Sequence, residues 1–168
     1  EEHIIQLAND NPTIKFIIAP HEMEQTRMEH IIASIKGGAV RYTQASVDDL
    51  KRAQVLILDT MGMLSSVYGY ATWAYIGGGF GVGIHNTLEA ATFGLPIAFG
   101  PNYSKFKEAR DMISLGAACS INDYNGLKQW FEPLRDDTHI LAHAGNAAKG
   151  YTSRHQGATD IFIRTIFA

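Results

Sequence analysis

Short apolar runs alternate with helical patterns along most of this chain, and this alternation constrains the fold more than any other feature. The clearest runs are KFIIAP at 15–20, VLILDT at 55–60, WAYIGG at 73–78 and PIAFG at 96–100. Runs that are apolar on both faces are typical of strands in a parallel sheet with helices on each side. Six such strands separated by helices predict an α/β fold, namely a Rossmann-like, doubly wound parallel sheet of about six strands.

Composition and charge exclude several classes of protein. Of the 168 residues, 46% are hydrophobic and 18% are charged, which is typical of a globular domain and not of a disordered chain. The formal net charge of −3 argues against a nucleic-acid-binding protein, because such proteins normally carry a basic face. The one cysteine, Cys119, excludes an internal disulfide, and its apolar neighbours predict a buried, inert thiol. No apolar run reaches the roughly 18 residues that span a bilayer.

The beginning of the chain predicts a piece of a longer protein. The sequence starts without methionine, in a pattern typical of the middle of a helix. We expect residues 1–11 to be a tail or the end of an interdomain helix, and residues 12–168 to form the domain. The turn residues NDNP at 9–12 mark the predicted boundary. On this interpretation an amino-terminal domain lies outside the sequence.

The glycines between residues 77 and 83 are the most distinctive local feature. They lie between the strand WAYIGG and a helical segment that begins near Asn86. Main-chain amides without side chains, followed by the positive end of a helix, predict a phosphate-binding loop at Gly78 and Gly79. The alternative is a tight turn in which glycine is needed for packing. The spacing matches neither the dinucleotide-binding motif nor the Walker loop, so both interpretations stay open.

Three acidic or amide residues near predicted strand ends have two interpretations each. Asn86 is a favourable helix N-cap, and Glu89 three residues later would complete a capping box. Alternatively, the carboxylate of Glu89 accepts hydrogen bonds from the hydroxyl groups of a sugar. Asp59 follows the apolar run VLIL, where it could equally bind a ligand or cap the next segment.

The remaining polar residues predict neither a metal site nor a nucleophile. His21 and His85 lack the H-x-x-x-H spacing of zinc ligands, so we expect no metal. No G-x-S-x-G motif is present. The stretch KFKEAR at 105–110 is typical of a solvated helix face, with contact between one of its charges and a ligand as the alternative.

A series of short motifs runs from residue 59 to residue 108. The segments DTMG, YGYA, GG, HNTLE, GP and FKE occur there in this order. Their order resembles the carboxyl-terminal half of the 3-deoxy-D-manno-octulosonic acid (Kdo) transferases, and the resemblance extends from about residue 15 to residue 157. It implies the carboxyl-terminal domain of a GT-B glycosyltransferase. Such an enzyme moves Kdo from CMP-Kdo to a lipid A precursor during lipopolysaccharide biosynthesis.

The resemblance implies that this domain binds the CMP part of the donor substrate and needs no separate cofactor. By position, the first strand end flanks the nucleotide, the DTMGM loop lies against it, and the HNTLE segment holds the ribose and phosphate. The residues implied to bind CMP are Pro20, His21, Met61, Gly62, Met63, Asn86, Thr87, Leu88 and Glu89.

Two positions depart from the family pattern. Relatives usually have arginine where this chain has His21, and glutamate where it has Met63. His21 can still donate a hydrogen bond to a phosphate, more strongly when it is protonated. Met63 can pack on the base, but its side chain cannot accept the amino hydrogens of the base as a carboxylate does.

The resemblance also implies the setting of the whole protein. The catalytic base is a carboxylate in the amino-terminal domain, so we expect no catalytic residue here and no turnover by this chain alone. The implied partners are CMP-Kdo, a lipid A precursor and the amino-terminal domain, without nucleic acid. The implied place is the cytoplasmic face of the inner membrane of a Gram-negative bacterium. The alternatives are the matching half of a GT-B enzyme that uses a UDP-sugar, as a transferase or an epimerase, and a non-catalytic α/β interaction module.

Overall fold

The structure is a computed structural model, and it describes residues 1–155 and 166. The strands are β1 (Phe16–Ile18), β2 (Ala39–Arg41), β3 (Val55–Ile57), β4 (Ala74–Ile76), β5 (Ile97–Phe99) and β6 (Ala118–Ser120). The α-helices of this part are α1 (Glu2–Asp10), α2 (Gln25–Ser34), α3 (Val47–Arg52), α4 (Leu64–Val67), α5 (Leu88–Thr92), α6 (Lys107–Ser114), α7 (Tyr124–Asp136) and α8 (Thr138–Arg154). A 3₁₀ turn covers Tyr68–Tyr70. None of the helices described is both long and apolar enough to cross a membrane.

The strands are parallel, as predicted, but they form two sheets instead of one. In the first sheet β3 lies between β1 and β2, and in the second β5 lies between β4 and β6. Within the described residues, every strand pairing belongs to one of these two groups of three. The predicted α/β fold with six parallel strands is confirmed, with the difference that the strands pair in two groups of three. An apolar run indicates that both faces of a strand are buried, but it does not indicate which other strand pairs with that strand.

The chain divides into two compact units. The first unit comprises Glu1–Val67 with Asp123–Lys128, and the second comprises Tyr68–Asn122 with the chain from Gln129 onward. The core of the first unit is formed by one helical turn of α1, the inner face of α2 and the apolar strands of the first sheet. Its buried residues are Ile5, Ala8, Ile18, Met28, Ile31, Ile35, Val55 and Ile57. The predicted start of the domain at residue 12 stays a prediction.

One buried amide connects three segments of the first unit. The Nε2 of Gln54 donates to the main-chain oxygens of Ala8 at 2.6 Å, Asn11 at 2.9 Å and Ile14 at 3.3 Å. Its Oε1 lies so close to Gly37 that a Cβ on Gly37 would be only 2.2 Å from it. Gln54 therefore connects the end of α1 and the residues just before β1 to the start of β3. Buried carbonyl groups need such donors, since leaving them unpaired is costly.

The second unit has its own core, which surrounds β5. The three residues of β5 are buried, and small residues of α5 and α6 pack against them. At the other end of α5, a Cβ on Gly145 would lie 2.5 Å from the main-chain oxygen of Gly94. The backbones of α8 and of the turn after α5 are therefore in direct contact. This contact fixes the short helix α5, which carries Glu89.

Candidate functional site

The loop between β4 and α5 needs its glycines for its own packing. Gly78 has a φ of +87°, and a Cβ there would lie 2.3 Å from the main-chain oxygen of Gly83. A Cβ on Gly79 would lie 2.7 Å from both the Cα and the nitrogen of Gly100. A Cβ on Gly83 would lie 3.0 Å from the ring of Phe106. The glycine pattern that suggested a phosphate loop is thus also required by a tight turn and by close contact between two backbones.

The same loop leaves main-chain donors without an acceptor. Inside the loop, Gly81 N donates to Gly78 O at 2.9 Å, and His85 N donates to Gly77 O at 3.1 Å. Among the described residues, neither Gly78 nor Gly79 donates its own N–H group to an acceptor. Packing and ligand binding are therefore compatible roles for this loop. Its predicted contact with a phosphate stays a prediction.

The segment from Asn86 to Glu89 forms the start of α5, with a different cap from the one predicted. The Oδ1 of Asn86 accepts from the N–H of Leu88 at 2.9 Å, and its Nδ2 donates to Glu89 Oε1 at 2.9 Å. The N-cap position belongs to Thr87, whose side chain makes no capping bond. The predicted capping box is therefore wrong. The Asn86 side chain accepts from the N–H group two residues ahead, and Glu89 bonds to that side chain instead of the main-chain N–H of Asn86.

Glu89 is an exposed carboxylate near one buried aromatic residue, Tyr68. Burial raises the pKa of the Tyr68 hydroxyl, and the negative charge of Glu89 raises it further. The ring of Tyr68 packs on Phe93, with ring centroids 6.2 Å apart. Helix α5 has only five residues, so few peptide dipoles are aligned behind this site. The dipole of this short helix therefore adds little positive charge at its start.

Thr87 and Leu88 differ sharply in accessibility. Thr87 is 1% exposed, and its buried Oγ1 has no hydrogen-bond partner in the described part of the chain. Leu88 is 40% exposed. An unpaired buried hydroxyl is costly. Thr87 is therefore a predicted site residue that carries a buried polar atom for which the described residues provide no hydrogen bond.

The first unit places the other predicted residues after β1 and β3. Pro20 is buried and His21 is exposed, directly beyond the end of β1. In the loop after β3, Met61 is exposed, and Gly62 adopts a φ of +84° with open space around it. The sulfur of Met63 accepts a hydrogen bond from Thr60 Oγ1 at 3.0 Å. Met63 is thus partly engaged within its own loop.

Asp59 has a structural role in this unit. One of its carboxylate oxygens accepts from Thr43 N at 3.0 Å, and the other accepts from Thr43 Oγ1. Burial alone would raise the pKa of Asp59, but these hydrogen bonds hold it below its ordinary value. The carboxylate holds the loop that follows β2, and does not cap the segment after β3 as one alternative predicted. The sequence did not reveal Thr43 as its partner, because the two residues lie 16 positions apart.

The described residues include one cysteine, and their histidines and carboxylates were predicted from the sequence to hold no metal. No cluster of three or more histidine, cysteine, aspartate or glutamate residues that could hold a metal ion occurs in residues 1–155 and 166. Cys119 is half-buried, and burial raises the pKa of its thiol. A raised pKa reduces the thiolate fraction and with it the reactivity of the thiol.

Curated relatives share one description. No family model matches the chain. A 3-deoxy-D-manno-octulosonic acid transferase from Bordetella pertussis is 30% identical over 138 residues, which is 79% of this chain and 32% of that protein. A protein of the same description from Rickettsia prowazekii is 34% identical over 156 residues, which is 89% of this chain and 33% of that protein. The chain is a homologue of the Kdo transferases. It spans about a third of the length of the curated relatives that it matches.

A solved structure shares the fold of this Kdo transferase homologue. The crystal structure of the carboxyl-terminal CMP-Kdo binding domain of WaaA from Acinetobacter baumannii superposes with a TM-score of 0.75 at 21% identity. The alignment covers 89% of this chain and 79% of that domain. The α/β fold predicted for the carboxyl-terminal domain of a Kdo transferase is thereby confirmed.

The residues predicted to bind CMP in this Kdo transferase homologue form two groups, one within each unit. Pro20, His21 and residues 61–63 lie in the first unit, after strands β1 and β3, which are paired neighbours. The glycine loop and residues 86–89 lie in the second unit, after β4. Within each unit the residues follow the carboxyl ends of parallel strands, which is where ligands bind in open α/β sheets. Their predicted roles in binding CMP stay predictions.

Proposed function

We propose that this chain is the donor-binding part of a glycosyltransferase that moves Kdo from CMP-Kdo to a lipid A precursor. The observation that carries the proposal is the alignment of proteins described as Kdo transferases with up to 89% of the chain. The fold shared with a CMP-Kdo binding domain supports it. The exposed carboxylate of Glu89 and the exposed Gly78 give the proposal a chemical basis.

In the proposed complex, the second unit binds the ribose and the phosphate of CMP. The free oxygen of the Glu89 carboxylate accepts hydrogen bonds from ribose hydroxyls, which are stronger than bonds to a neutral acceptor. The N–H groups of Gly78 and Gly79 face the phosphate. Negative charge grows on this phosphate when the bond to Kdo breaks, so fixed donors there stabilise the transition state.

Other parts of the proposed function lie outside this chain. The carboxylate base that activates the acceptor hydroxyl belongs to an amino-terminal domain. The acceptor is a lipid A precursor, and the reaction takes place at the cytoplasmic face of the inner membrane of a Gram-negative bacterium. In the first unit, Pro20 and His21 are proposed to flank the nucleotide, and residues 61–63 to contact it.

A comparison of three nucleotides, CMP, UMP and UDP, tests the proposal. We expect the chain to bind CMP weakly but measurably in an NMR titration, and to bind it more tightly than UMP or UDP. Shift changes should include the amides of residues 78–79 and 86–89. Tighter binding of UDP would contradict the proposal and favour a transferase or epimerase that uses a UDP-sugar. The absence of binding to any nucleotide would favour a non-catalytic module.

A further inference from the structure

The loop between β5 and α6 is attached to the glycine loop of the proposed site. Asn102 N donates to Gly79 O at 2.9 Å, and Asn102 Nδ2 donates to Gly81 O at 2.7 Å. The ring of Phe106 packs against Gly83. Contacts on both sides of Lys105, at Asn102 and Phe106, therefore attach the backbone around this lysine to the glycine loop.

Lys105 differs from its neighbour Lys107 in its charge environment. Lys107 forms an ion pair with Asp111, with Nζ and Oδ2 2.5 Å apart, and this hydrogen bond raises the pKa of Lys107. Lys105 is exposed and forms no ion pair within residues 1–155 and 166. An uncompensated ammonium attracts anions more strongly than one whose charge is already neutralised.

A second cation strengthens the positive charge of this loop. The guanidinium of Arg110 donates to the main-chain oxygen of Ser104 at 2.9 Å, directly before Lys105. This bond brings the positive charge of Arg110 to the loop and restrains the backbone beside Lys105. Glu108 is the nearby carboxylate in sequence, and it is half-buried on α6. The exposed side of the loop is therefore positive.

We propose that Lys105 binds the phosphate of the donor nucleotide and supplies fixed positive charge beside the glycine loop. This inference rests on the proposed function, because it assigns one more residue to the same nucleotide site. Arg110 acts as a positioning residue that holds the loop. The positive charge matters chemically because negative charge grows on the phosphate when the bond to Kdo breaks.

Two lysine variants separate phosphate binding from a general effect of charge. In NMR titrations of the chain at about 50 mM salt, Lys105→Ala should weaken CMP binding about three- to tenfold, and the loss should shrink at about 0.5 M salt because exposed charges are screened. The affinity for cytidine, which has no phosphate, should not change. Lys107→Ala removes the same unit of charge two positions later, where Asp111 already holds the ammonium and keeps it from binding the phosphate, so CMP binding should fall less than in Lys105→Ala.

The outcomes distinguish this inference from the proposed function. Three results would each overturn the role of Lys105 while leaving CMP binding by the chain intact. They are unchanged CMP binding by Lys105→Ala, an equal loss of CMP affinity in Lys107→Ala, and an equal loss of affinity for cytidine in Lys105→Ala. Failure of the unchanged chain to bind CMP at all would overturn the proposed function and this inference together.

Discussion

Replacing Glu89 by glutamine should weaken the binding of CMP by about 10- to 100-fold, since hydrogen bonds to a charged group contribute about 1.5–3 kcal/mol. The fold should change little, because the glutamine side-chain oxygen can still accept from Asn86 Nδ2, as Glu89 Oε1 does at 2.9 Å. The loss should therefore appear in the dissociation constant and not in the melting temperature. An NMR titration with CMP, together with thermal unfolding of the same sample, measures both.

Glu29→Gln is the matched control for this variant. Glu29 is also an exposed helical glutamate whose Oε1 accepts from a neighbouring side-chain amide, that of Gln25, at 2.7 Å. The control removes the same charge from the chain at a position outside the proposed site. Equal effects of Glu89→Gln and Glu29→Gln on CMP binding would show that only net charge matters, and would remove Glu89 from the site.

Replacing Gly79 by alanine should lower the free energy of unfolding by about 1–3 kcal/mol, which is typical of forcing an added group into a closely packed interior. The new Cβ would lie 2.7 Å from the Cα and nitrogen of Gly100, and backbone atoms cannot move aside as a flexible side chain can. The two loops at the carboxyl ends of β4 and β5 would be forced apart. Chemical denaturation of the variant and the unchanged chain measures the difference.

Gly81→Ala is the control in the same loop. A Cβ on Gly81 would have only an ordinary contact, 3.6 Å from Gly78 O, and Gly81 does not adopt a positive φ. We expect its effect to stay within about 1 kcal/mol of zero. If Gly79→Ala were as stable as Gly81→Ala, the close approach of Gly79 and Gly100 would not exist in solution.

The positions of individual strands could be predicted from the sequence. The apolar run at 55–60 contains β3 (Val55–Ile57), and the run at 73–78 contains β4 (Ala74–Ile76). Such runs are local signals, because a strand that is buried on both faces has apolar residues at consecutive positions. The division of the strands into two sheets was not predictable in this way, because strand pairing depends on contacts between distant segments.

The parts of the site that were missed depend on residues far apart in the chain. The packing partner of Gly79 is Gly100, 21 positions later, and no spacing rule connects them. Gln54 holds a carbonyl group 46 positions away. The cap at α5 was misplaced for a different reason. Asn86 can bond to N–H groups two or three residues ahead, and these alternatives differ too little in energy to be separated from sequence.

The central claim is that the glycine loop and Glu89 bind the phosphate and ribose of CMP, and a crystal structure of the chain grown with saturating CMP tests it most directly. The account predicts phosphate oxygens within hydrogen-bond distance of the N–H groups of Gly78 and Gly79, and a ribose hydroxyl on the Glu89 carboxylate. CMP bound at another surface, or an empty loop at saturating CMP, would contradict it.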